Sequence, residues 1–179
     1  MTNPRLRRAI KVLLFLVGGS ALFCLYVVSW GLTMGSAHGA QVDPIWPDSR
    51  LTPGVSDPHV TQVDIATTIC VHGYTAKVRH VTEAEKRKVL AEYHMPWAAR
   101  HHVEIDHDLS LELGGSNDIR NLWPESYRGP YGARTKDKLE TKLHRLVCKG
   151  KITLKAAQRA IEGDWVKAYS KYVKAITRP

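Results

Sequence analysis

Three apolar patterns run along the chain, each with its own period. Residues 12–37, VLLFLVGGSALFCLYVVSWGLTMGSA, carry no charge at all. That is long enough to cross a bilayer, which takes roughly 20 apolar residues. Near the middle the period is two: HHVEIDH, 101–107, alternates well enough for a strand. LELGGSNDIR then supplies turn residues, and NLWP reads as a short return strand ended by Pro124. From about 134 the period becomes helical. Leu139, Leu143, Leu146 and Val147 fall at i, i+4, i+7 and i+8, one apolar face, and Gly150 is a natural stop. Thr153 caps a second helix whose face carries Ala157, Ala160, Ile161, Trp165, Ala168, Tyr169 and Tyr172, so the two form a helical hairpin. Earlier, Thr82-Glu83-Ala84-Glu85 has the pattern of a capping box and predicts a helix over 83–93 that stops before Pro96. TTICVHGYTAKVR, with its β-branched residues and one Gly, suits a short strand pair with a turn. The expected class is α+β. A small strand–turn–strand–helix unit carries additional C-terminal helices and follows an N-terminal transmembrane or signal helix.

These patterns divide the chain into an N-terminal segment at 1–37, a linker at 38–60 and a folded domain at 61–179, with the strand–strand–helix core at about 101–148. The linker assignment rests on QVDPIWPDSRLTPGVSDPHV, which is rich in Pro, Gly, Asp and Ser. No internal repeat or low-complexity tract interrupts the domain. A hydrophobic content of 44% with 24% charged residues suits a packed core and argues against wholesale disorder.

Charge adds direction. The chain has a net charge of +9, and Arg5, Arg7, Arg8 and Lys11 precede the apolar run. Basic residues on that side stay in the cytoplasm, so residues beyond the run are expected outside it. An uncleaved anchor and a signal peptide cut near SAHGA both export residues 41–179. The remaining excess of about +5 is a mild bias toward a polyanionic partner. Export changes the cysteine reading too. Beyond Cys24, inside the apolar run, only Cys70 and Cys148 remain. In an oxidising compartment an isolated pair is most simply a disulfide; two buried thiols are the alternative. No CxxC spacing suggests a zinc–cysteine site.

The central stretch EIDHDLSLELGGSNDIRNLWPE places Asp106-His107 on one arm of a hairpin and Asn121 on the other, with a helix after them. DH, then GG, then NL at this spacing resembles the HNH, or ββα-metal, endonucleases. The resemblance is strongest over residues 104–140. The wider span, from TICVHGYTAKVR through KDKLE to AQRAIEGDW, resembles an exported subgroup of HNH-like proteins. It implies a ββα-metal fold and metal-dependent hydrolysis of DNA, with His107 as general base and Asp106 as metal ligand. Asn121 would hold the loop that bears His107. Adjacent strand residues point to opposite faces, so Asp106 and His107 need a bend to act together. The implied cofactor is a divalent cation, Mg²⁺ first, with Mn²⁺, Ni²⁺ or Zn²⁺ as alternatives.

One departure stands out. The family offers a further His or Asn ligand beyond the middle Asn, but residues 130–133 here are Pro-Tyr-Gly-Ala, around Gly132. Asp137, nearest the helix start, is the substitute expected; Glu140 and His144, at i and i+4, are others. Arg134, Lys136 and Lys138 near the same helix start are candidate phosphate contacts. Asn117 and Asp118 read as turn formers, and His101-His102 as a solvated basic edge. Three functions compete on this sequence: an exported metal-dependent endonuclease, a nucleic-acid-binding module on a decayed nuclease fold, and an envelope interaction domain that keeps the hairpin for stability.

Overall fold

A computed structural model describes residues 46–173. The 12–37 run, with its expected anchor or signal helix, lies outside the described residues. Among those described, no helix is long and apolar enough to cross a membrane.

The described chain is α+β, with one two-stranded antiparallel sheet and five helices among the described residues. In order these are α1 (Tyr74–Val78), α2 (Glu83–Glu92), β1 (Val103–His107), β2 (Leu122–Ser126), α3 (Ala133–Cys148), α4 (Leu154–Glu162) and α5 (Trp165–Tyr172). Short 3₁₀ turns at Trp97–His101, Leu111–Leu113 and Ile119–Asn121 fill the connections. α2 begins where local chemistry places it. The Thr82 side chain accepts from the Glu85 amide, and Glu85 reaches back to the Thr82 amide at 2.7 Å, a complete capping box.

The hairpin pairs Val103 with Ser126, Ile105 with Pro124 and His107 with Leu122. β2 therefore does not end at Pro124 but runs through it. A two-stranded sheet has only edges, and Pro is tolerated on an edge where no ladder donor is required. Val103 and Ile105 from β1 and Leu122 from β2 pack with Val89 and Leu90 of α2 and with Met95. A second, larger core joins Leu139, Leu143 and Val147 of α3 to Ala157 and Ile161 of α4 and to Trp165 and Tyr169 of α5. The hairpin and α3 thus stand between two apolar clusters, which fixes their mutual position.

Two further expectations change. TTICVHGYTAKVR forms no strand pair. Residues 64–71 wind through successive turns, with the Thr68 hydroxyl on Asp64 O at 2.6 Å and the Cys70 amide on Ile65 O at 2.9 Å. Gly73, at φ +76°, then opens α1. These threonines spend their hydroxyls on nearby carbonyls, the local competition that disfavours a ladder. The second C-terminal helix breaks into α4 and α5 because Asp164 caps a new start, accepting from the Lys167 amide at 2.9 Å. Its apolar face nevertheless continues across the break, from Ala157 and Ile161 to Trp165 and Tyr169.

The described part of the 38–60 stretch is tied to the domain rather than loose. Thr52 is buried and its hydroxyl donates to Leu122 O at 2.9 Å, while the Asp57 amide donates to Gly114 O at 2.8 Å. Pro and Gly shape this segment, but its backbone polar groups find partners on the hairpin.

Candidate active site

The site forms where the end of β1 meets the first turns of α3. Asp106 and His107 are adjacent on β1, yet His107 Nδ1 lies 3.7 Å from Asp106 Oδ1. Arg79, just after α1, brings them into one network. Its Nη1 is 3.2 Å from Asp106 Oδ1 and 3.1 Å from His107 Nδ1, while Nη2 donates to Ile105 O at 2.9 Å. His107 is buried, with 1% of its surface exposed.

The tautomer of His107 follows from its partners. Asn117 Nδ2 donates to Val78 O at 2.7 Å, which turns Asn117 Oδ1 toward His107 Nε2 at 3.1 Å. An amide oxygen only accepts, so Nε2 carries the hydrogen. A guanidinium only donates, so Nδ1 presents its lone pair to Arg79. The ring is therefore held neutral, with its basic nitrogen on the Arg79 side. Neither partner was visible in the sequence reading. Asn117 passes for a turn residue in GGSN, and Arg79 is remote from the hairpin along the chain.

Asn121 ties down the loop after His107. It is fully buried. Its Oδ1 accepts from the Leu109 amide at 2.9 Å and the Val55 amide at 3.1 Å; its Nδ2 donates to Leu109 O at 2.9 Å and Ser116 O at 2.8 Å. No contact to the imidazole is made, so orientation of the ring falls to Asn117. The glycine pair serves the same crossing. A Cβ on Gly115 would lie 1.7 Å from Leu109 O, so only Gly fits there.

Lys136 is not the phosphate contact expected of it. It is 1% exposed, and its ammonium is used inside the protein. Nζ donates to His107 O at 2.9 Å and Glu140 Oε1 at 2.5 Å, with Asp106 Oδ2 at 3.3 Å and Glu125 Oε2 at 3.8 Å. Burial opposes a charged ammonium, but the carboxylates of Glu140, Asp106 and Glu125 hold its pKa well above the ordinary lysine value. The Glu140 carboxylate also accepts from the Ser110 hydroxyl at 2.8 Å. Burial likewise works against the charge of Asp106, yet the Lys136 ammonium and the Arg79 guanidinium hold its carboxyl well below the usual carboxylate range. Burial dominates at Glu125, whose carboxyl is pushed up to about 9 and whose two oxygens have no hydrogen-bond partner.

A cavity of about 260 Å³ opens over this cluster, lined by Arg79, Glu104, Asp106, His107, Glu112, Asp137 and Glu140 among others. Asp137 is thus on the same cavity as Asp106 and His107. Burial and the charge of Asp106 raise the pKa of both Asp137 and Glu104. Several carboxylates thus face one opening, with the Arg79 guanidinium among them. Arg134 is exposed on the first turn of α3. Glu140 and His144 share a helix face but part company: Glu140 enters the Lys136 cluster, and His144 Nε2 donates to Ile69 O at 2.8 Å.

Cys70 and Cys148 form a disulfide, with Cα atoms 5.6 Å apart. His144 lies beside it. Ligand atoms of Cys70, His144 and Cys148 fall within 4.8 Å of one another, a group able to hold a metal ion once the two sulfurs are free thiolates. Compared with known proteins, the chain matches no family model, no curated protein and no solved structure.

Proposed function

We propose that the protein is a metal-dependent endonuclease of the HNH, or ββα-metal, kind, anchored or exported through its N-terminal segment and hydrolysing DNA outside the cytoplasm. One observation carries this reading: a neutral, buried imidazole with its lone pair aimed at a guanidinium, beside a carboxylate-lined cavity at a hairpin–helix junction. Phosphodiester hydrolysis asks for each of these parts. His107 Nδ1 takes the proton from the attacking water. The oxygen–phosphorus bond forms as the bond to the leaving oxygen breaks, and that oxygen leaves protonated from solvent. Arg79 neutralises the phosphate, which draws the guanidinium off Nδ1 and frees the lone pair for the water. Asn117 keeps Nε2–H directed away from the cavity throughout, and Asn121 with Lys136 holds the backbone on either side of the base. Asp106 and Asp137 are the residues that would hold the cation. A divalent ion there supplies charge neutralisation and stabilises the leaving oxyanion.

A second reading is nucleic-acid binding without cleavage. It is favoured by the two cations already on Asp106, Arg79 at 3.2 Å and Lys136 at 3.3 Å, and by the missing ligand at 130–133. Plasmid nicking with Mg²⁺, Mn²⁺ or Ni²⁺, against an EDTA control, separates the two. Metal-dependent nicking supports the enzyme; salt-sensitive DNA binding with no nicking in any metal supports the binding module.

A further inference from the structure

A second opening of about 380 Å³ adjoins the cavity, and Arg79 and Glu104 line both. It lies between α2, the 97–101 turn and the outer part of β1. Arg79, Lys86 and Arg100 face it, against Glu83, paired with Lys86 at 2.9 Å, and Glu104, 3.9 Å from Arg79, which leaves one cation in excess. One guanidinium that lines it is stacked in place: Arg100 lies 4.7 Å from the Trp97 ring centre. A stacked guanidinium has already given up most of its rotamer freedom, so a phosphate binds it at lower entropic cost. At the rim, Tyr127 leaves 47% of its surface exposed, and its amide donates to His102 O at 3.3 Å, which fixes the start of the loop after β2. Fixed cations interleaved with an open aromatic face are what an unpaired strand needs: phosphates along the cations, a base on the ring. A paired base has no face free for Tyr127.

We propose that this groove binds the nucleotide next to the scissile phosphate, with its phosphate on Arg100 and Lys86 and its base on Tyr127, so that the substrate enters as a single or locally unpaired strand. The proposal deepens the nuclease reading and rests on it for the role of the neighbouring cavity.

The test measures binding of fluorescein-labelled oligonucleotides to the full chain in neutral detergent, by anisotropy, with EDTA present so that nothing is cut. Single-stranded DNA, single-stranded RNA and the matched duplex are compared. The single strands are expected to bind at least about tenfold more tightly than duplex. Tyr127→Ala should weaken single-strand binding by roughly tenfold with an unchanged salt slope, and Tyr127→Phe should restore it. Lys86→Ala with Arg100→Ala should lower the salt slope by about one unit. Equal affinity for duplex, or variants that bind single strands like the parent, overturns the groove. Nicking of plasmid by the parent in Mg²⁺ is measured in parallel. If the parent nicks while the groove variants bind and nick normally, the groove falls and the nuclease reading stands. If the parent binds single strands through Tyr127 and cuts nothing, the groove stands and the nuclease reading falls.

Discussion

Replacing Asn121 by Ala removes the one side chain that ties the 109–116 loop to both the return arm and the 46–60 segment. Four hydrogen bonds go with it, to the Leu109 and Val55 amides and to the Leu109 and Ser116 carbonyls, all between 2.8 and 3.1 Å. At a net worth of about 1 kcal/mol each, the loss is about 4 kcal/mol. Water enters poorly at a position that is fully buried, so the orphaned groups regain little. The crossing also has no room to close over the gap, because Gly115 already presses on Leu109 O. A domain of this size has a total stability of about 5–15 kcal/mol, so the variant should stand near the edge of folding. Urea unfolding followed by near-ultraviolet circular dichroism gives the difference directly. A loss below about 1 kcal/mol, accompanied by a large loss of nicking, would refute the reasoning: Asn121 would then act on the chemistry and not on the loop.

Two further outcomes follow from the same physics. The Cys70–Cys148 bridge spans 78 residues, and chain entropy puts its contribution at about 4.5 kcal/mol; Cys70→Ser with Cys148→Ser should lower urea stability toward that value, and a change under about 1 kcal/mol would contradict it. Burial holds the Glu125 carboxyl protonated up to about 9, while the unfolded chain releases that proton near 4.5. The folded state alone keeps the proton in that window, so stability falls as pH rises from 4.5 toward 9. Glu125→Gln should flatten the slope, gaining on the parent at pH 8 relative to pH 5; parallel slopes for the two proteins would show that Glu125 is not the group responsible.

What the sequence showed depended on how local its cause was. The capping box at Thr82, the first hairpin arm and the start of α3 come from neighbouring residues and lie close to where the pattern put them, while the return arm runs on past Pro124 to Ser126. The Cys70–Cys148 pair was legible from the cysteine count, although its partners are 78 residues apart. The strand pair expected in TTICVHGYTAKVR failed because threonine hydroxyls bond carbonyls three and four residues back. Arg79 and Asn117 escaped because their roles depend on contacts across the fold, 28 and 10 residues from His107 along the chain. Lys136 carried a signal that went unused: it falls on the same helical face as Leu139, Glu140 and Leu143, which places it inward. A charge pattern alone reads such a lysine as a surface contact.

The measurement that bears most directly on the central claim is metal-dependent plasmid nicking by His107→Ala beside the parent, with cation binding followed in the same samples by calorimetry. The account predicts that His107→Ala loses roughly two to four orders of magnitude in turnover, since it removes the proton acceptor, while its affinity for the cation stays within a few-fold of the parent. Asp106→Ala should do the reverse in part, binding the cation weakly and regaining some nicking at high metal concentration. A parent that nicks plasmid together with a His107→Ala variant that nicks equally well would contradict the account, because the imidazole at the end of β1 would then have no part in the chemistry.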